Sequence, residues 1–145
     1  MASVKSVAIT NLDAVPAVNS DGGNLSPMMV WHDTYEASSL ASGSDITIAR
    51  IPAASTIHDV IVKADALGGS STLIVGDSGD TDRFLAAVGT WNAAGQAQSM
   101  LAGSTAANTA VAGLGYKVTS ETDILITTGG ATISGTIYCW IYYTQ

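Results

Sequence analysis

Positive charge is scarce in this sequence: five Lys and Arg stand against twelve Asp and Glu, a formal net charge of −7. Such a surface repels a phosphate backbone, and no Lys/Arg cluster interrupts it, which argues against direct nucleic-acid binding. Long apolar runs are also missing. None approaches the roughly 18–20 residues of a membrane-spanning helix, so no membrane partner is expected. Residues 1–10 lack a basic stretch followed by an apolar one, and no secretory signal is read there. The single cysteine, Cys139, cannot form an internal disulfide, which fits assembly in a reducing host cytoplasm.

Small residues fill the space instead. Ala alone accounts for 22 positions, and Ala, Gly, Ser and Thr together make up about half the chain. Phe occurs once, whereas β-branched Ile and Val recur, a balance that favours strands joined by small-residue turns. A length of 145 residues suits one domain with one core.

Periodicity supplies the element order. Residues 4–10 can form a short strand, and 11–26 read as irregular, with Pro16, Asp21-Gly22-Gly23 and Asn24. Residues 1–27 are therefore expected to be an extended N-terminal arm, or else an edge strand with a long loop, ahead of a sandwich domain at 28–145. In 28–37, Met29, Trp31 and Tyr35 share one face, and His32, Thr34 and Glu36 share the other. Residues 45–51 alternate less cleanly and stop at Pro52. In 56–64, Val60, Val62 and Ala64 fall on one face, with Ile57 and Ile61 assigned to the opposite one. Gly68-Gly69 leads into a strand at 71–75, and 76–82 reads as a polar loop before an apolar piece at 84–88. Gly89, Gly95, Gly103 and Gly113 break any helix in 86–113, leaving a loop-rich crossing with one short strand near 96–101. Strands are expected at 116–119 and 123–128, then a hairpin at Gly129-Gly130 and a final strand at 132–143. About eight short strands without a sustained helix predict an all-β single-domain β-sandwich, jelly-roll-like.

The inventory for catalysis is thin. His32 and His58 are each followed by an aspartate, but neighbours on a strand point to opposite faces, so neither forms a local pair. Nothing resembles a nucleophile elbow, and neither catalytic residues nor a cofactor site is expected. Gly76-Asp77-Ser78-Gly79-Asp80-Thr81-Asp82 places three carboxylates together, the donor type Ca²⁺ takes. The spacing is not that of an EF-hand loop, and Arg83 stands ready to neutralise the group. A turn capped by its own aspartate is the preferred reading, and no metal site is assigned. Cys139 lies between aromatics with no electropositive neighbour, which predicts buried packing over reactivity.

The final strand is the most informative stretch. Ile133, Gly135, Ile137, Cys139, Ile141 and Tyr143 fall on a core-like face. Tyr138, Trp140 and Tyr142 fall on the other, where a lone sandwich would leave three large rings in water. Aromatics gather where one protein surface buries another, so these three are the candidate subunit interface; cover by the chain's own arm or a loop is the alternative.

Several segments carry a resemblance. Ile9-Thr10-Asn11-Leu12-Asp13-Ala14 with Pro16, and Ile48-Ala49-Arg50-Ile51-Pro52-Ala53-Ala54-Ser55-Thr56-Ile57, are two of them. Leu73-Ile74-Val75-Gly76 with Gly79-Asp80-Thr81-Asp82-Arg83-Phe84-Leu85 is a third. Gly113-Leu114-Gly115-Tyr116, Thr122-Asp123-Ile124 and Gly135-Thr136-Ile137-Tyr138 leading to Tyr142-Tyr143 complete the set. In this order they resemble the small virion structural proteins of tailed bacteriophages, the capsid cement or head decoration proteins. The resemblance implies a non-enzymatic protein on the capsid exterior, a homo-oligomer and commonly a trimer, whose partner is the major capsid protein. It transfers no capsid-binding residue. The alternative is a glycan-binding module of a phage fibre or spike, in which Trp31, Trp91 and the terminal aromatics stack sugars.

Overall fold

A computed structural model describes residues 27–88, 91–102 and 112–145; the expected strand at 4–10, and the arm apart from Pro27, lie outside the described residues. Nine strands are present among the described residues: β1 Met29–Leu40, β2 Asp45–Ile51, β3 Ser55–Ala64, β4 Thr72–Asp77, β5 Asp80–Val88, β6 Gln96–Ser99, β7 Tyr116–Val118, β8 Thr122–Gly129 and β9 Ile133–Thr144. They form two sheets, ordered β1-β9-β3-β6 with β7 also on β3, and β2-β8-β4-β5. Every pairing is antiparallel. With the short β7 set aside, the pairs β1–β9, β2–β8, β3–β6 and β4–β5 nest inside one another, which is the connectivity of a jelly roll.

The alternation of the sequence decides what lies between the sheets. Val60, Val62, Ile124, Ile126, Ile133, Ile137 and Ile141 are fully buried, each contributing about 1.5–3 kcal/mol by leaving water. Strands of both sheets feed one continuous core, so the described residues form a single domain. Met29, Trp31 and Tyr35 pack on it from β1 as expected. The Trp31 Nε1–H donates to the Ile48 carbonyl at 3.1 Å, tying the edge of one sheet to the edge of the other.

Bulges account for the places where alternation misleads. The β2–β8 register shifts between Thr47 and Ala49, so that Ile48 and Ala49 both face inward; this is the unclean alternation of 45–51. A second shift, between Ile57 and Asp59 on β3, puts Ile57 in the core on the same side as Val60. The assignment of Ile57 to the opposite face is thereby corrected. A second correction concerns Gly129-Gly130. The turn joins β8 in one sheet to β9 in the other, so the two strands do not pair as a hairpin. Glycine is still required there: Gly130 has φ +77°, and an added Cβ would collide with the Ser70 carbonyl. The segment 76–82 is also more ordered than a loop, since β4 and β5 run up to Asp77 and from Asp80 with only Ser78-Gly79 between them.

Candidate interaction surface

β9 lies between β1 and β3, so its outward side chains occupy the middle of their sheet. Val30 and Asp59 flank Tyr142, His32 and Ile61 flank Trp140, and Thr34 and Lys63 flank Tyr138. All three rings are half-buried, and Val30 beside them is 51% exposed. The His32 ring stacks on Trp140 with centroids 4.8 Å apart and planes 19° apart. Tyr138 stands nearly parallel to Trp140, at 6.3 Å and 15°. Beside these rings runs an open groove of about 500 Å³, bordered by His32, Lys63, Asp65, Tyr138 and Trp140. The result is an apolar centre of Val30, Tyr142, Trp140, Ile61 and Tyr138 within a rim of charged and polar groups, the anatomy of a protein contact surface.

The structure thus brings together the three aromatics singled out in the sequence. It adds His32, Val30 and Ile61, which sequence reasoning did not assign to this surface. Their membership follows from strand register, and register across sequence-distant strands leaves no local signal.

The opposite side of β9 is core. Cys139 is 1% exposed, and burial, with a smaller contribution from the Asp33 charge, pushes its thiol up to about 12. It is protonated at neutral pH and a poor nucleophile.

Among the described residues, the two histidines meet a ring and a hydroxyl: His32 stacks on Trp140, and His58 faces Thr144. The His58 ring is 3.0 Å from the Thr144 hydroxyl. Asp59 instead accepts from the Ser99 hydroxyl at 3.0 Å and the Leu101 N–H at 3.1 Å, pinning the β6 end to β3. The carboxylate-rich turn is capped from within. Asp77, 3% exposed, accepts from the backbone N–H groups of Gly79 at 2.8 Å and Asp80 at 3.0 Å, and from the Arg83 Nε–H at 2.7 Å. Hydrogen bonding to Asp77 holds the Arg83 guanidinium above its ordinary pKa, and the same group lies 4.3 Å from the Tyr116 ring centroid. Asp77 is therefore committed to the turn and to Arg83, and among the described residues no group of three His, Cys, Asp or Glu side chains is placed to hold a metal.

Two residues of the sugar-stacking alternative are elsewhere. Trp91 is 1% exposed in the core, and Trp31 packs on the core from the inner face of β1. Neither offers a ring face on the aromatic surface, so of the sugar-stacking candidates only the terminal aromatics lie there.

No family model matches the sequence, and no curated protein matches it. Solved structures do. A chain of the cyanophage Pam1 capsid asymmetric unit superposes with a TM-score of 0.62 at 20% identity, over 82% of this chain and 85% of that one. A chain of the Ralstonia phage GP4 capsid gives 0.61 at 18% identity, over 82% and 84%. A chain of the acid-stable capsid of Helicobacter pylori bacteriophage KHP30 gives 0.59 at 10% identity, over 83% and 89%. The similarity is one of fold, and it spans most of both chains in each case.

Proposed function

We propose that this protein is a cement or decoration protein, a non-enzymatic virion component that binds the outer surface of a phage capsid and strengthens contacts between major capsid protein subunits. The observation that carries the reading is the row Tyr138, Trp140 and Tyr142, held half-exposed on a jelly roll whose structural neighbours are chains of phage capsids. The aromatic row joins copies of the chain into a homo-oligomer, a trimer in keeping with the resemblance. The oligomer then attaches at junctions between capsomers. Several weak contacts made at once suffice for retention, because each further contact in an attached oligomer forms at high effective concentration. Assembly draws on no cofactor, and the acidic surface favours protein over packaged nucleic acid as a partner.

The test is to add the purified protein to heads that lack it. Saturable co-sedimentation and a higher temperature of DNA release are expected. Heads that neither bind the protein nor gain stability would reject the reading. A glycan-binding role has one observation in its favour, the groove where Tyr138 and Trp140 run beside Lys63 and Asp65; binding to a glycan array without binding to heads would select it.

A further inference from the structure

Register fixes the level along the strands at which each exposed group of the β1-β9-β3-β6 sheet stands, and two levels match from one edge to the other. Among the described residues four large apolar side chains are exposed: Met28 at 60%, Val30 at 51%, Leu101 at 63% and Leu114 at 48%. Met28 and Val30 belong to the β1 edge. Val30 pairs with Tyr142, and Tyr142 with Asp59. On the other edge β6 ends opposite Ile61 and β7 begins opposite Ile57. Leu101, just past β6, and Leu114, just before β7, therefore flank the gap between them, beside Asp59. The Leu101 N–H donates to that carboxylate at 3.1 Å. This level is aliphatic at both edges with a ring between.

The second level carries charge. Thr34 pairs with Tyr138, and Tyr138 with Lys63. Exposed Asp33 and Glu36 flank Thr34, and β1 contains neither Lys nor Arg. Exposed Lys63, toward the other edge, is the one Lys or Arg in β1, β9, β3 and β6.

We propose that copies of this chain pack head to tail about an axis running along β9, so that Met28 and Val30 of one copy meet Leu101 and Leu114 of the next, and Asp33 and Glu36 meet its Lys63. The proposal rests on the homo-oligomeric reading above and specifies which surfaces join. Rotation about an axis along the strands keeps every residue at its own level, so the two edges of each level are brought together. Apolar then meets apolar and acid meets base. The uncharged aromatic row faces the axis, where identical groups gather. A two-fold axis across the strands at Trp140 would swap the levels and set Val30 against the charged one. Unlike edges repeated around an axis close into a ring, a trimer on the reading above.

Cysteine pairs test the packing, with buried Cys139 unreactive in the background. Within one chain β1 and β6 are three strand spacings apart, about 14 Å, beyond the roughly 7 Å that a disulfide spans. Chains carrying Met28→Cys or Val30→Cys are co-expressed with chains carrying Leu101→Cys or Leu114→Cys, then oxidised. At least one combination should give a species of twice 14.7 kDa joining the two unlike positions. Species that join only like positions, Val30 to Val30 for example, overturn the head-to-tail contact. Oligomers by light scattering that give no mixed species overturn it too and leave the homo-oligomer standing, whereas a monomer rejects both readings. Charge reversal gives an independent measurement. Glu36→Lys and Lys63→Glu should each raise the concentration needed for assembly by about tenfold, and the double variant should restore it. Single reversals without effect, or a double variant weaker than either, overturn the matching of acid to base.

Discussion

The two outer faces of the sandwich treat their side chains differently. On the β2-β8-β4-β5 sheet, polar groups answer one another across strands: Arg50 makes hydrogen bonds of 2.6 and 3.1 Å to Asp123, and the Thr127 hydroxyl donates to Asp45 at 2.6 Å. On the β1-β9-β3-β6 sheet the central strand sets three rings on one face, and among the described residues Trp140 stacks with His32 and stands beside Tyr138. A face whose groups satisfy each other asks for no partner; a face of half-covered rings gains by finding one. On the proposed reading, the half-covered rings are the surface that assembly uses.

The largest effect expected is chemical. A thiol at about 12, against an ordinary 9.0, has roughly a thousandfold less thiolate at pH 8, so Cys139 should resist thiol reagents until the chain unfolds. Tyr138→Cys, on the other side of the same strand, should label at an ordinary rate. Native Cys139 reacting as fast as that variant would reverse the two sides of β9. The sign for stability follows. The folded state holds this proton more tightly, so its contribution is complete below pH 9 and is lost as pH rises toward 12.

Asp77→Ala comes next. It removes the acceptor of two turn amides and the close ion pair of the largely buried Arg83, leaving it Asp80 at 3.9 Å, a loss of about 3 kcal/mol of stability readable by thermal or denaturant melting. Melting of Asp77→Ala unchanged from the parent would mean that solvent, not Asp77, satisfies the turn. Because the turn lies in the sheet without the aromatic row, molecules that remain folded should assemble normally.

Trp140→Ala should shift assembly by about 2 kcal/mol or more, as loss of a central interface anchor does. Light scattering should report dissociation while circular dichroism keeps the β spectrum. Outright unfolding would make Trp140 a core residue, and an unchanged oligomer would move the contact to another surface. The smallest effect belongs to the opposite face. Arg50→Ala should leave both assembly and melting essentially unchanged, since an exposed ion pair is largely screened. Dissociation on that substitution would erase the distinction between the faces.

Much of this was readable from spacing alone. The alternation of β9 separates Ile137, Cys139 and Ile141 from Tyr138, Trp140 and Tyr142 without ambiguity, because the strand carries no bulge between Ile137 and Tyr143. Ile57 was misassigned because one extra residue near His58 inverts the parity of everything before it, and a bulge leaves no residue signature there. Gly129-Gly130 announced a turn correctly, but a glycine pair specifies backbone freedom and not which sheet receives the next strand. His32 on Trp140 was illegible for another reason: the two meet only because β1 and β9 pair, a fact of topology carried by neither residue.

The nested pairing has a consequence for biosynthesis. β9 is the partner of both β1 and β3, joining Met29 to Tyr143 and Ile61 to Trp140. Until it emerges from the ribosome, β1 lacks its sheet neighbour, and the strands already made wait for contacts distant in sequence, a slow kind of folding. The same strand carries the aromatic row. A prematurely terminated product therefore lacks, in a single stroke, the centre of one sheet and the whole aromatic row.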